Sequence, residues 1–301
     1  MSNALEHTTG LHIVAQTPFL DDGTLDLPSI DTLSAFYYRH GAQGLTVLGV
    51  SGEAQKLTVD ETIAVAARYV AAADGHRIIA GVSHPNLATL VEVTAQVMAE
   101  GADAVMICPP SGIRTDEDLM RYFDAVFSRI GDVPTVLQDF PASSGVMMSV
   151  PALDRLITAF PQIGVIKEED SPSPTKITRM RTELSRPVRI LTGNNGQFLV
   201  QEMERGADGP MAGFSYPEML SGVYDLMTAG KRAEAHDLFN RYLPLLKHEA
   251  QGQWGIALRK EMMRRRGALT SNALRGPGPK LTEADLAELD FLVGRMDLPQ
   301  G

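Results

Sequence analysis

Short runs rich in Val, Ile and Leu recur along the first two-thirds of the chain: Ile13–Thr17, Leu45–Gly49, Ile78–Val82, Ala104–Cys108, Thr135–Asp139, Gly164–Lys167, Arg189–Thr192 and Gly209–Gly213. They are apolar almost throughout rather than alternating, which is the pattern of strands covered on both faces. Successive runs start roughly 20–30 residues apart, leaving room for one helix and two short loops in each unit. The intervening segments have helical spacing. Leu27–Arg39 places Ile30, Leu33, Ser34 and Tyr37 on one face, Val59–Ala73 is rich in Ala and Val with Glu61 in its first turn, and Asn86–Glu100 aligns Leu87, Leu90, Val91, Thr94, Val97 and Met98. A weak repeat marks the joints: Gly41-Ala42-Gln43-Gly44, Gly101-Ala102-Asp103-Ala104 and Gly206-Ala207-Asp208-Gly209 each separate a helix pattern from a strand pattern. A glycine there serves the left-handed cap that stops a helix. Eight strand–helix units predict an α/β fold, a (β/α)8 TIM barrel. The alternative, an open doubly wound sheet, is weakened because Thr17-Pro18-Phe19 follows the first strand where a Gly-rich phosphate loop would be needed.

The barrel pattern is complete near Gly213. The remainder, 214–301, reads as helices over Glu218–Thr228, Arg232–His248, Gly255–Arg266 and Glu283–Met296, with a Gly- and Pro-rich loop over Ala268–Lys280. No linker separates these helices from the barrel. The expectation is one domain over 1–301, with a barrel at about 10–213 and a helical extension packed on it. A chain of 301 residues would otherwise fit one or two domains.

Composition adds constraints. A hydrophobic fraction of 44% and a charged fraction of 21% are those of an ordinary globular protein and exclude disorder. With 27 basic and 37 acidic residues, the net charge of −10 argues against nucleic-acid and anionic-membrane partners; Arg264-Arg265-Arg266 is the nearest thing to a basic patch. The single cysteine, Cys108, cannot form an intramolecular disulfide, which suits a reducing compartment. Met1–Gly10 is polar and lacks a secretory pattern, and no apolar stretch approaches the ~18 residues of a membrane span. A cytoplasmic protein is expected.

The candidate chemistry centres on Lys167. It ends the run Ile163-Gly164-Val165-Ile166 and precedes Glu168-Glu169-Asp170. In a TIM barrel, catalysis belongs at the C-terminal ends of the strands. A desolvated lysine there offers a free amine that attacks ketones, so an imine with a 2-oxo acid is the expected chemistry. The bland alternative is a strand-end lysine paired with Glu168, Glu169 or Asp170 and turned to solvent.

Several motifs in order point further. They are Thr17-Pro18-Phe19 with Asp22-Gly23; Gly49-Val50-Ser51-Gly52-Glu53 with Leu57 and Glu61 downstream; Ile79-Ala80-Gly81-Val82; Val165-Ile166-Lys167-Glu168; and Leu191-Thr192-Gly193-Asn194. Over nearly its whole length the chain resembles the dihydrodipicolinate synthase / N-acetylneuraminate lyase family of Schiff-base barrels. The resemblance implies that Lys167 is the imine lysine. It also implies that Ser51, with the Gly52 backbone and Val50 beside it, holds the substrate's 1-carboxylate, and that the protein is a homo-oligomer, a dimer or tetramer. The bland reading of the Gly49–Glu53 loop is an ordinary strand-to-helix turn with Gly52 supplying a positive φ.

The chain departs from the family at telling positions. The family's acid/base Tyr at the end of strand five is replaced by Gln138, in Leu137-Gln138-Asp139-Phe140-Pro141. The segment Cys108-Pro109-Pro110-Ser111-Gly112 has no Tyr where the synthase places one that completes a proton relay, and Ser143 falls near the position of an Arg that holds a second substrate's carboxylate. An amide cannot shuttle a proton as a phenol does. Gln138-Asp139-x-Pro141-Ala142-Ser143, with Leu243-Pro244-Leu245, His248-Glu249 and Gly255-Ile256, is more similar to the branch that includes 2-keto-3-deoxy-L-arabonate dehydratase. There the imine on Lys167 would acidify C3, a base would remove the C3 proton, and the C4 hydroxyl would leave. The candidate bases are Lys167 itself, a water held by Gln138, or Asp139, whose bland role is to cap a loop. Gly193 and Asn194 are expected on the pocket rim and Met211 behind the imine. His84 is placed to touch substrate or simply lie on the surface, while His236, His248 and Glu249 lack the spacing of a shared metal site.

The leading expectation is thus a Schiff-base lyase that dehydrates a 2-keto-3-deoxy sugar acid, with no cofactor and no metal beyond the covalent imine. A pyruvate-dependent aldolase or dihydrodipicolinate synthase is the runner-up. A non-catalytic 2-oxo-acid-binding protein is the reading from another class, favoured by the missing Tyr relay.

Overall fold

The computed structural model describes residues 5–296; residues 1–4, the start of the polar N-terminal stretch, and 297–301 lie outside the described residues. The apolar runs form the strands β1 (His12–Val14), β2 (Gly44–Val47), β3 (Arg77–Gly81), β4 (Ala104–Ile107), β5 (Thr135–Asp139), β6 (Ile163–Glu168), β7 (Arg189–Thr192) and β8 (Gly209–Pro210). Between them lie α1 (Ser29–Arg39), α2 (Val59–Ala71), α3 (Leu87–Ala99), α4 (Asp116–Ile130), the single turn α5 (Pro141–Ser144), α6 (Val150–Ala159), α7 (Ser173–Glu183) and α8 (Leu199–Glu204). The extension comprises α9 (Pro217–Thr228), α10 (Arg232–Glu249), α11 (Gly252–Arg265) and α12 (Glu283–Met296).

The strands pair in parallel in chain order, β1 to β8. Two backbone bonds close the ring, Gly10 N to Asp208 O and Val14 N to Ala212 O, each 3.0 Å. The fold is the expected (β/α)8 barrel. Strand eight is shorter than the expected Gly209–Gly213. Pro210 has no N–H to donate, and pairing resumes irregularly from Met211 N to Thr192 O at 2.7 Å. Gly209 has φ +147°, and a Cβ there would lie 2.5 Å from the backbone of Gly10, so a bare residue lets the last strand reach the first.

Alternation along the strands splits the apolar residues into two cores. Val14, Ile79, Ala104, Met106, Val136, Val165, Leu191 and Met211 fill the barrel with Leu5, while the larger core lies between sheet and helices. The local signals act as read. Thr58 and Glu61 form a reciprocal capping box on α2. Gly41, Gly101 and Gly206 all take positive φ at the joints between helix and strand.

The extension is more than cladding. Nine consecutive residues of α11, Gly255–Met263, are buried, among them Arg259, Lys260 and Glu261. Lys260 donates to Thr17 O at 2.8 Å, Glu53 Oε1 at 2.6 Å and Ala273 O at 2.9 Å, and lies 4.4 Å from the Phe19 ring centroid. Burial lowers it to about 8 against the pull of Glu53. This one ammonium ties α11, the first barrel loop and the loop after β2 together. Glu53 keeps Lys56 at 2.9 Å from its other oxygen, so Lys260→Met should lower folding stability by about 1–3 kcal/mol, the usual cost of leaving buried hydrogen-bonding atoms without a partner, read as a shift in the urea midpoint.

Candidate active site

The in-and-out parity of the strands carries on to their C-terminal ends. Val136 and Val165 point into the barrel, so Gln138 and Lys167, two residues on, do too, and the chain brings Glu169 to the same side. Gln138 and Lys167 are direct neighbours in the β5–β6 register. With Ser51, Asn194 and Arg259 these groups line a cavity of about 360 Å³ at the strand ends. Backbone strain collects on this rim: of the five non-glycine residues with positive φ among the described residues, Leu48, Glu53, Asn194 and Asn195 flank it.

The Lys167 Nζ lies 3.1 Å from Glu169 Oε2, and both side chains are buried. The same oxygen accepts from Gln138 Nε2 at 2.6 Å, and Oε1 accepts from Asn194 N at 3.1 Å. The Glu169 carboxylate rests on bare Gly193, where any Cβ would collide with it. Glu169 is therefore oriented from three sides and aimed at the lysine. In the sequence it stood out only as one of three counter-ions for Lys167; its place two residues beyond the lysine is the signal that puts both on one face.

The other expected residues divide. Ser51, Val50, Asn194 and Met211 line the cavity. Gly52 lies beneath it: its N–H is bonded to Gly49 O at 3.0 Å and its carbonyl accepts from Thr17 Oγ1 at 2.6 Å, so Ser51 and not the Gly52 amide faces the pocket. Ser111 and Ser143 line a different cleft of about 680 Å³ with exposed His84 and half-buried Cys108. Burial pushes the Cys108 thiol up to about 11, and the cleft holds no amine. Asp139 is turned away altogether. It follows inward-facing Gln138, so it points out of the barrel, where Lys176 Nζ donates to it at 2.5 Å and to Asp170 at 2.9 Å.

One wall of the cavity was not foreseen. Arg259, only 2% exposed, reaches in from α11. Its Nε donates to Glu249 Oε2 at 3.1 Å, Nη1 to Ser51 Oγ at 3.3 Å and Nη2 to Asn195 Oδ1 at 3.1 Å. Glu249 in turn accepts from the Ser215 hydroxyl and from Ser215 N at 3.2 Å. The sequence disguised this pair, since Arg and Glu in helices usually face water.

The model of the dihydrodipicolinate synthetase family matches residues 7–295. The chain belongs to this family. It is a lyase of the family, and its relatives carry more than one activity in their names. L-2-keto-3-deoxyarabonate dehydratase of Azospirillum brasilense is 28% identical over 301 residues, covering 98% of this chain and 97% of that protein. A 4-hydroxy-tetrahydrodipicolinate synthase of Limosilactobacillus fermentum is 29% identical, covering 71% and 69%. The crystal structure of a dihydrodipicolinate synthase from Rhodopseudomonas palustris superimposes with a TM-score of 0.94 at 42% identity, covering 98% of this chain and 99% of that one.

Behind the wall of this family barrel lies a second set of acids. Asp139 and Glu168, paired across β5 and β6, share Lys176. Burial pushes both carboxyls up, and repulsion from Asp139 drives Glu168 further, so the pair retains a proton at neutral pH. Burial lowers Lys176, but Glu168 and Asp139 more than reverse this and raise it. Beside them Glu202 accepts from Ser173 Oγ at 2.6 Å, and burial lifts it from 4.5 to about 7. A carboxyl raised on folding binds a proton that the unfolded chain has released, so it lowers stability as pH rises from about 4.5 to about 7, with little further change above. Glu202→Gln should flatten the fall in thermal midpoint between pH 5 and 8. The same variant should leave the share of that fall due to Glu168 and Asp139.

Proposed function

We propose that the protein dehydrates a 2-keto-3-deoxy sugar acid through an imine on Lys167, with Glu169 as the acid and base. The observation that carries this reading is the carboxylate 3.1 Å from the amine, held there by Gln138. Lys167 gives a proton to Glu169 and its free amine adds to the C2 carbonyl. The carbonyl oxygen leaves as water, and the iminium that remains acidifies C3. Glu169 takes the C3 proton, giving an enamine. The C4–O bond then breaks, the hydroxyl leaving as water with the proton that Glu169 returns. Water hydrolyses the unsaturated iminium and frees Lys167. No proton is gained or lost overall, so a single carboxylate suffices and the absent Tyr relay is not required. No cofactor is needed, because the iminium is the electron sink. Gln138, where the family resemblance places Tyr, serves as the group that orients Glu169. Asp139 takes no part.

The second reading, a pyruvate-dependent aldolase or synthase, is favoured by the relatives named for synthesis. Both begin with the same imine. Borohydride reduction with pyruvate or a 2-keto-3-deoxy sugar acid should leave a mass-shifted peptide containing Lys167, and Lys167→Ala should abolish it. Absence of an adduct with both ligands would sink both readings in favour of a binding protein. Glu169→Gln should form the adduct more slowly but still reach it, and should lower dehydratase turnover by about 10²–10⁴-fold, the usual contribution of a general acid–base. Turnover of pyruvate with an aldehyde, and none of the sugar acid, would establish the second reading instead.

A further inference from the structure

We propose that Arg259, delivered by the C-terminal extension, is the receptor for the substrate's 1-carboxylate, acting with Ser51. This inference rests on the 2-oxo-acid reading above and deepens it. A guanidinium has five N–H donors. Three are engaged, with Glu249, Ser51 and Asn195, leaving two without a partner among the described residues. Unsatisfied donors on a buried cation are costly, and here they belong to a side chain that lines the same cavity as Lys167. The site is shaped for this head group. A Cβ at Gly213 would lie 2.5 Å from Nη1, so a bare residue makes room for the arginine at the cavity wall.

The partners of Arg259 divide by charge. Glu249 holds the inner Nε edge, anchored by Ser215, whereas the outer nitrogens meet only the neutral oxygens of Ser51 and Asn195. An anion at the outer edge gains charge-assisted, forked hydrogen bonds that neither neutral oxygen supplies. Ser51 stands on the loop after β2, across the barrel from Lys167 on β6. A 2-oxo acid spanning the two would set C2 at the amine and C1 at Arg259. In a chain of net charge −10, a local cation is what lets an anionic substrate enter.

Removing Arg259 alone would leave Glu249 buried and unpaired, so the test uses the Arg259→Gln/Glu249→Gln double variant, with Arg259→Lys beside it. Borohydride trapping on Lys167 is titrated with pyruvate and with hydroxyacetone, its uncharged counterpart. The expected result is a rise of about 10–100-fold in half-saturating pyruvate for the double variant, hydroxyacetone within about 2-fold of wild type, and partial rescue by Arg259→Lys. Pyruvate carries no hydroxyl, so an unchanged pyruvate titration would show that Arg259 serves another part of the substrate and overturn the proposal. Equal weakening of both ligands would mean a structural role and overturn it as well. The thermal upshift caused by pyruvate is measured in Lys167→Ala protein, with and without the double change. It should vanish with the double change; persistence would overturn the proposal. That arm needs no imine. A failure of trapping in the wild-type protein therefore counts against Lys167 as the imine lysine and leaves the carboxylate site decided separately.

Discussion

Two opposite charges, the ammonium of Lys167 and the carboxylate of Glu169, are held 3.1 Å apart with both side chains buried. Neither could be buried alone, because an isolated charge in a low-dielectric interior is neutralised or expelled. Much of the surrounding architecture follows from keeping the pair together. Gln138 and Asn194 satisfy the carboxylate, and Gly193 is bare so that it can lie flat. Arg259 and Glu249 form a second buried pair facing the same space. The cavity therefore holds two cations and two anions and is close to neutral, although the chain as a whole carries −10.

The strand alternation that assembles this site also segregates it. On β5 and β6 the inward positions, Gln138 and Lys167, belong to the cavity, and the outward ones, Asp139 and Glu168, to a proton-sharing cluster with Lys176. One register thus supplies two chemical environments separated by a single layer of backbone. The inner one is arranged for a reacting molecule. The outer one fastens α7 to the wall and makes the fold sensitive to pH.

Much of this was legible from residue order. The eight apolar runs, the glycine joints and the lysine ending the sixth run are local patterns, and local patterns survive folding. Strand β8 was overestimated because Pro210 and the irregular pairing after it do not alter hydrophobicity. Asp139, one of three candidate bases, points out of the barrel, a parity that composition does not reveal and counting from buried Val136 does. Glu169 was in view but read as a counter-ion, since its partnership with Gln138 crosses two strands. Arg259 and Lys260 were invisible. A helix buried on every side is expected to be apolar, and α11 is buried while carrying Arg, Lys and Glu. Only the three-dimensional placement of Glu249 and Glu53, far away or on other elements, shows what neutralises them.

The buried helix α11 has a consequence in time. A chain leaves the ribosome N-terminus first, and all eight strands precede residue 211, whereas Glu249 and Arg259 come much later. The strands that set Lys167 beside Glu169 are therefore synthesised before one wall of the pocket. Without that wall the Lys167–Glu169 pair would face an open bowl. The wall that α11 adds is thus synthesised well after the strands that hold the lysine, so the floor and the wall of one cavity are made at separate times.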